Sequence, residues 1–397
     1  MNSKLVQRIG AALASFAAFG ALAADPGVTA TEIKLGQTAP YSGPVSVAAP
    51  QAAVQVAYFK MLNDKGGING RKVNLISLDD GYSPPKTVEV TRKLVEQDEV
   101  FLIFGQVGTA TAAAVQPYLH AKGVPQLLVS TGASRFNNPS KFPLTIGTAA
   151  SYRGEAVLFG KYIRQKIPGA KVGIFYQNDD LGRDYLDGIT EGLGDQAAAT
   201  IVSKMAGDVQ APTFDSEVLQ LRSSGANVLV IAATAKPTVL VMRKVHDLGW
   251  KPQTLLTLAS ASVTNVMEPS GGAANTGVIT TTVYKDPSDT RWANDPEYLE
   301  YAAFIAKYLP QYNKNDQYAV SGYIAVQVMA KILQDAGNNL TRENVRKVAS
   351  NLKDFRPKMA GPDVSFTITP NDYEMFRKLQ FMRFNGKSWE PFQAGLN

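Results

Sequence analysis

The chain has no cysteine among its 397 residues. Disulfides, thiolate metal sites and a lipid-modified lipobox cysteine are therefore excluded. Histidine is nearly absent, with only His120 and His246. Each falls late in an expected helix, just before Gly123 or Gly249, where a cation complements the helix C-terminus. The sequence also lacks H-E-x-x-H, paired-carboxylate metal spacing, a Walker A loop and a G-x-S-x-G elbow. Ser83-Pro84-Pro85-Lys86 matches S-x-x-K in letters. That motif needs Ser and Lys on one helical face, and two intervening prolines oppose it. With no set of nucleophile and base, no enzyme is expected, and neither a metal nor another cofactor.

Charge of one sign is also scarce. Lys and Arg total 40 against 34 Asp and Glu, a net of +6. No basic block interleaves with aromatics, so no nucleic-acid partner is expected. Hydrophobic residues make up 45% and charged residues 19%, an ordinary globular balance. Long apolar runs are missing too, except at the start. Lys4 and Arg8 precede an uncharged stretch from Ile9 to Ala23 that ends Ala21-Leu22-Ala23. This is the layout of a secretory signal peptide, residues 1–23, cleaved after about Ala23, and it is shorter than the ~20 residues of a membrane span. The mature chain is expected outside the cytoplasm.

What the sequence does have is βα alternation. Strands are expected over 33–37, 72–78, 101–104 and 126–130, with helices over 47–63, 84–96 and 109–121. Continuous apolar runs such as Phe101-Leu102-Ile103-Phe104 suit a parallel sheet buried on both faces. The pattern repeats with strands over 172–176, 201–204, 228–232 and 254–258, and helices over 181–193, 212–223 and 237–248. A strand over 278–284, helices over 295–307, 316–336 and 341–351, and a hairpin turning on Asn385-Gly386-Lys387 complete the chain. Two similar α/β lobes follow, with no low-complexity linker between them, so a hinge is expected rather than a tether.

Two strand-to-helix loops stand out. Gly105-Gln106-Val107-Gly108-Thr109 and Ser130-Thr131-Gly132-Ala133-Ser134 each follow a strand. Ligands of open α/β sheets bind beyond the carboxyl ends of strands, and helix N-termini there suit an anion. Gly, Ser and Thr are equally the default residues of turns and caps, so the pattern alone leaves both readings open.

The ordered set of segments carries a resemblance. Asn63-Asp64-Lys65-Gly66-Gly67-Ile68-Asn69-Gly70, Asp79-Asp80-Gly81-Tyr82-Ser83-Pro84, the two loops above, Tyr176-Gln177-Asn178-Asp179-Asp180-Leu181-Gly182, Ser224-Gly225-Ala226-Asn227 and Leu248-Gly249-Trp250-Lys251-Pro252 occur in sequence. Together they resemble the leucine/isoleucine/valine-binding type of periplasmic substrate-binding protein that serves ABC transporters. The resemblance implies two Rossmann-like lobes, the type I periplasmic binding protein fold, joined by a three-segment hinge. Lobe I would hold 24–148 and 285–360, and lobe II would hold 149–284 and 361–397. It further implies a periplasmic monomer that traps a small carboxylate between its lobes and delivers it to an inner-membrane permease. A sensor role on the same fold stays open.

The site implied by the resemblance, together with the two loops, comprises Tyr41, Gln106, Val107, Gly108, Thr109, Ser130, Gly132, Ala133, Ser134, Tyr152, Asp179 and Tyr284. One departure matters. The second-lobe glutamate that pairs with a ligand ammonium in leucine-binding members is missing from Leu258-Ala259-Ser260-Ala261. A buried ammonium without a carboxylate partner is costly. The expectation therefore leans toward an ammonium-free acid of the benzoate or hydroxycinnamate type, with a branched-chain or other amino acid as the alternative. Tyr41, Tyr152 and Tyr284 would supply flat packing surfaces.

Overall fold

The computed structural model describes residues 25–396, so the expected signal peptide lies outside the described residues. The first lobe begins with β1 (Glu32–Ala39), α1 (Ala49–Asp64), β2 (Lys72–Asp79), α2 (Pro84–Glu96), β3 (Leu102–Phe104), α3 (Thr109–Ala121), β4 (Gln126–Val129) and β5 (Thr145–Gly147). Its sheet runs β2-β1-β3-β4-β5, all parallel. β3 and β4 are buried at every position, as their unbroken apolar runs require.

The chain then crosses into the second lobe through α4 (Tyr152–Lys166), β6 (Val172–Gln177), α5 (Asp180–Leu193), α6 (Ala197–Thr200), β7 (Ile201–Gly207), α7 (Asp215–Ser223), β8 (Val228–Ala232), α8 (Ala235–Asp247), β9 (Gln253–Leu256) and β10 (Ile279–Thr282). It returns with α9 (Pro296–Tyr308), α10 (Gln317–Ala336) and α11 (Arg342–Ala349), which pack on the first lobe's core, and ends in the hairpin β11 (Gln380–Phe384) and β12 (Trp389–Pro391). The second sheet runs β12-β11-β10-β9-β8-β6-β7, parallel except for the terminal hairpin.

Both sheets contain the same doubly wound order. β2-β1-β3-β4-β5 in one is matched by β7-β6-β8-β9-β10 in the other. In this order the chain reverses direction between β1 and β3, and again between β6 and β8, and each reversal leaves a crevice beyond the strand ends. The loops at these two switch points line the space between the lobes.

The lobe boundary differs from the expected one at one place. Phe366, Ile368, Tyr373, Met375 and Phe376 belong to the core cluster that contains α1 and α10 residues of the first lobe. Residues 361–378 thus pack with the first lobe, and the last crossing falls just before β11. Helix α4 and strand β5 were also not expected. β5 is only three residues long, too short to show periodicity.

An ion cluster fastens the second crossing. Lys285 meets Asp295 at 2.6 Å and Glu297 at 3.0 Å, and Arg356 meets Glu297 at 2.6 Å. Burial would raise the Glu297 pKa, but hydrogen bonds from Arg356, Lys285 and the Met359 amide outweigh it and bring it down to about 2. A depressed folded-state pKa means the stabilisation is complete above the ordinary value of ~4.3 and is lost as pH falls through about 2. Glu297→Gln is expected to flatten this acid dependence in thermal melts followed by circular dichroism. At neutral pH it should cost on the order of 1 to 2 kcal/mol, less than the full shift because the pair is partly exposed. An unchanged acid limb would place the titration elsewhere.

Candidate functional site

A cavity of about 130 Å³ lies between the lobes at the two switch points. Its first-lobe wall comes from the loop after β3, the end of β4 and the start of α10. Gly108 is the N-cap of α3 with φ +111, a conformation open to glycine and costly for other residues. A Cβ there would also overlap the Tyr82 ring. Gly108 offers no capping side chain and the Tyr82 hydroxyl meets only the Thr109 amide, so the positive end of α3 lies at the cavity with its next amides uncapped. Thr109 Oγ1 and Thr131 Oγ1 are 2.8 Å apart, and the Tyr152 hydroxyl joins them from across the cleft. In β4 the register slips between Leu127 and Val129, and Leu128 takes φ +56. Such a bulge re-aims the strand end, here the Ser130 that lines the cavity and hydrogen-bonds Gln51 at 3.1 Å.

The second-lobe wall comes from α4 and the loops after β6, β8 and β9. Glu155 on α4 is fully buried and lines the cavity. It accepts from Thr281 Oγ1 at 2.5 Å, from the Leu258 amide at 3.1 Å and from the Tyr185 hydroxyl. Desolvation pushes its pKa up, against these hydrogen bonds. Beside it, Gln317 at the start of α10 donates Nε2 to the Leu258 carbonyl at 2.9 Å. That bond fixes the amide orientation and leaves Gln317 Oε1 buried with no partner among the described residues. An unmet buried acceptor costs about 1 to 3 kcal/mol, which a ligand donor could recover.

Of the expected site residues, Val107, Gly108, Thr109, Ser130, Tyr152 and Tyr284 line this cavity. The other six lie outside its lining. The Tyr41 hydroxyl is bound to Ser77 at 2.7 Å. Gln106 is buried beneath the loop, donating to Thr38 at 2.8 Å and accepting from Gln126 at 2.6 Å. Gly132 and Ala133 face a separate small void with Asn137 and Tyr373. The Ser134 amide donates to Asp184 at 2.7 Å across the lobes. Asp179 is occupied in capping α5, accepting from the Leu181 amide at 3.0 Å and from Gln177 at 2.7 Å.

Several lining residues were not anticipated. Glu155 sits on a helix that was itself missed. Gln317 looked like an ordinary first-turn residue. Tyr82 was visible only as part of the Asp79–Pro84 segment. It holds φ +57 while 4% exposed, and such strain in a bulky residue marks a site the surrounding structure enforces. Its hydroxyl reaches the Thr109 amide and Gln177 of the opposite lobe.

The lobes are engaged. Besides Ser134–Asp184, Arg135 Nε meets Asp180 at 2.7 Å, Asn265 donates to Asp316 at 3.1 Å, and the Tyr318 hydroxyl donates to the Ala259 carbonyl at 3.3 Å. Among the described residues no helix is long and apolar enough to cross a membrane, and no cluster of His, Cys, Asp and Glu could hold a metal ion.

A pair of doubly wound lobes closing on a small buried cavity defines a ligand-trapping protein of the two-lobed α/β class. Residues 32–388 match the model of the periplasmic binding protein family, and the chain belongs to that family. A "Leu/Ile/Val-binding protein homolog 1" of Brucella abortus is 26% identical over 353 residues, 88% of each chain. A branched-chain amino acid ABC transporter protein from Thermus thermophilus with bound valine superposes with a TM-score of 0.79 at 18% identity, covering 92% of this chain and 96% of its own. A fatty acid ABC transporter substrate-binding protein from Thermomonospora curvata gives a TM-score of 0.77 at 19% identity, covering 93% and 94%. At these identities the two structures establish the type I fold with its two lobes. Proteins of this family are extracytoplasmic receptors.

Proposed function

We propose that this chain is the substrate receptor of an ABC uptake transporter and that its ligand is a small α-amino acid, bound as a zwitterion and handed to a membrane permease. The observation that carries the ligand class is Gln317 Oε1, a buried acceptor without a partner among the described residues, in the cavity wall that also holds the Glu155 carboxylate. An ammonium group is the donor such a wall lacks. Glu155 already accepts three strong hydrogen bonds, so it acts through its field while Gln317 accepts directly. The open α3 N-terminus with the Thr109 and Ser130 hydroxyls suits the carboxylate. Val45, Ala48, Leu181 and Ile324 suit an aliphatic body.

The expectation of an ammonium-free aromatic acid gives way here. It rested on the absence of an acid after β9, and Glu155 approaches that loop from α4 instead.

Calorimetry with leucine and with isocaproate, its deaminated analogue, tests this reading. Leucine is expected to bind at least ~100-fold tighter, because the analogue leaves the acceptor unmet. Thr109→Val should weaken the amino acid by about tenfold, the order expected for one hydrogen bond to a charged group. If isocaproate or benzoate binds as tightly as any amino acid of a full panel, the zwitterion reading is wrong.

A further inference from the structure

Among the residues of the ligand cavity, Tyr82 has a backbone at odds with its side chain. The Ser83 amide donates to the Asp80 carbonyl at 3.0 Å and closes a turn over residues 80–83. Both central residues take positive φ, +58 at Gly81 and +57 at Tyr82, the sign pattern of a type I′ turn. Such turns favour glycine or asparagine at their centre, and a bulky side chain there is strained.

The surroundings hold the turn in place. The fully buried Asp80 carboxylate accepts from the Tyr82 amide at 2.9 Å and from Thr87 Oγ1 at 3.1 Å. Asp79 accepts from the Gly81 amide and from the Ser42 amide, each at 3.0 Å. A strained residue persists only where such contacts over-determine it, and strain of this kind clusters at ligand sites.

What the turn places is the ring. It lies against Gly108, in space that a Cβ on that residue would enter. Tyr82 packs in one apolar cluster with Val45, Ala48 and Val107, and all four line the ligand cavity. Val45 and Ala48 are the surface offered to the ligand's aliphatic body, so the ring borders that surface. Its hydroxyl is held by the Thr109 amide and by Gln177 of the opposite lobe, which keeps the ring from swinging aside.

We propose that Tyr82 is a specificity-determining residue, its ring occupying the room that an aromatic ligand side chain would need and so restricting the cavity to small aliphatic ligands. Asp80 is a positioning residue, since it acts through the Tyr82 backbone. The size limit is stated for the amino-acid ligand proposed above and rests on that assignment. Specificity of this kind comes from a clash built against the wrong ligand.

Calorimetry on the mature chain compares leucine with phenylalanine, and isocaproate with 3-phenylpropionate, their deaminated analogues. The wild type is expected to prefer leucine by at least ~100-fold. Tyr82→Gly fits the turn without strain and empties the ring's place. It should bind phenylalanine at least ~10-fold more tightly than the wild type does, while leucine weakens. Tyr82→Asn is the second variant if the first does not fold, since asparagine also tolerates positive φ. A gain for one ligand beside a loss for the other does not arise from general loosening of the fold. Tyr82→Phe keeps the ring and should keep the preference. A wild type that binds phenylalanine as tightly as leucine overturns the size limit. So does an unchanged preference in both ring-deleting variants, or a preference lost in Tyr82→Phe. If the deaminated acids bind as tightly as the amino acids, the amino-acid assignment fails, and the ratio of 3-phenylpropionate to isocaproate still decides the role of Tyr82. A wild type that binds neither pair overturns both.

Discussion

Glu155→Ala is expected to lower the unfolding free energy by about 3 to 5 kcal/mol and to weaken amino-acid capture by more than ~100-fold. The reason is what the carboxylate holds together. It accepts from Tyr185 on α5, from Thr281 on β10 and from the amide of Leu258 beyond β9. All three donors are buried. Removing the acceptor strands each of them, and the void left by the side chain adds to the loss. Relief from burying the carboxylate offsets part of this, since desolvation raises the Glu155 pKa. Glu155→Gln keeps the shape and one acceptor, and should cost only about 1 to 2 kcal/mol in stability. Its affinity loss should remain near that of the alanine variant if the negative field is what the ammonium needs. Urea unfolding and calorimetry on the two variants separate the roles. Equal stability of Glu155→Ala and wild type would remove the carboxylate from the framework of the cleft.

Gly132→Ala is expected to be the most damaging single methyl in the first lobe, at about 2 to 4 kcal/mol, with at least ~10-fold loss of ligand affinity. A Cβ at this position would overlap the Ala150 carbonyl oxygen and press on the Tyr152 ring. The obstacle is backbone at the first hinge crossing, so no flexible side chain can swing aside. The Gly132 carbonyl also accepts from the Tyr152 amide at 3.0 Å. Any relief therefore moves Tyr152, and with it the hydroxyl group that meets Thr109 and Thr131. A melting temperature within a degree of wild type would show that the crossing is more yielding than this packing implies.

Both residues show where reading the sequence succeeds and where it stops. Gly132 was marked as part of a loop beyond a strand end, and the loop is there. Its work is different from that expected: it makes room for the crossing segment at Ala150 and does not line the ligand cavity. Asp179 was marked as a charge that could face the ligand, and it caps α5 instead, because a helix start beside a strand end needs an acceptor. Glu155 was not marked at all. Nothing in Tyr152-Arg153-Gly154-Glu155 distinguishes it from a surface helix turn, since the residues it joins are 30, 103 and 126 positions away.

The sequence by itself determined the absence of cysteine and with it of disulfides, the α/β class, the two lobes and the loops at the first switch point. These depend on composition and on short-range periodicity, where a strand or helix is written in neighbouring residues. The tertiary structure decided which lobe packs residues 361–378, which of the marked residues meet at the cavity, and that a buried acid from α4 reaches the loop after β9. Those outcomes depend on contacts between residues far apart in the chain. A cleft between two lobes is assembled almost wholly from such contacts, because each wall is built on strand ends from a different sheet.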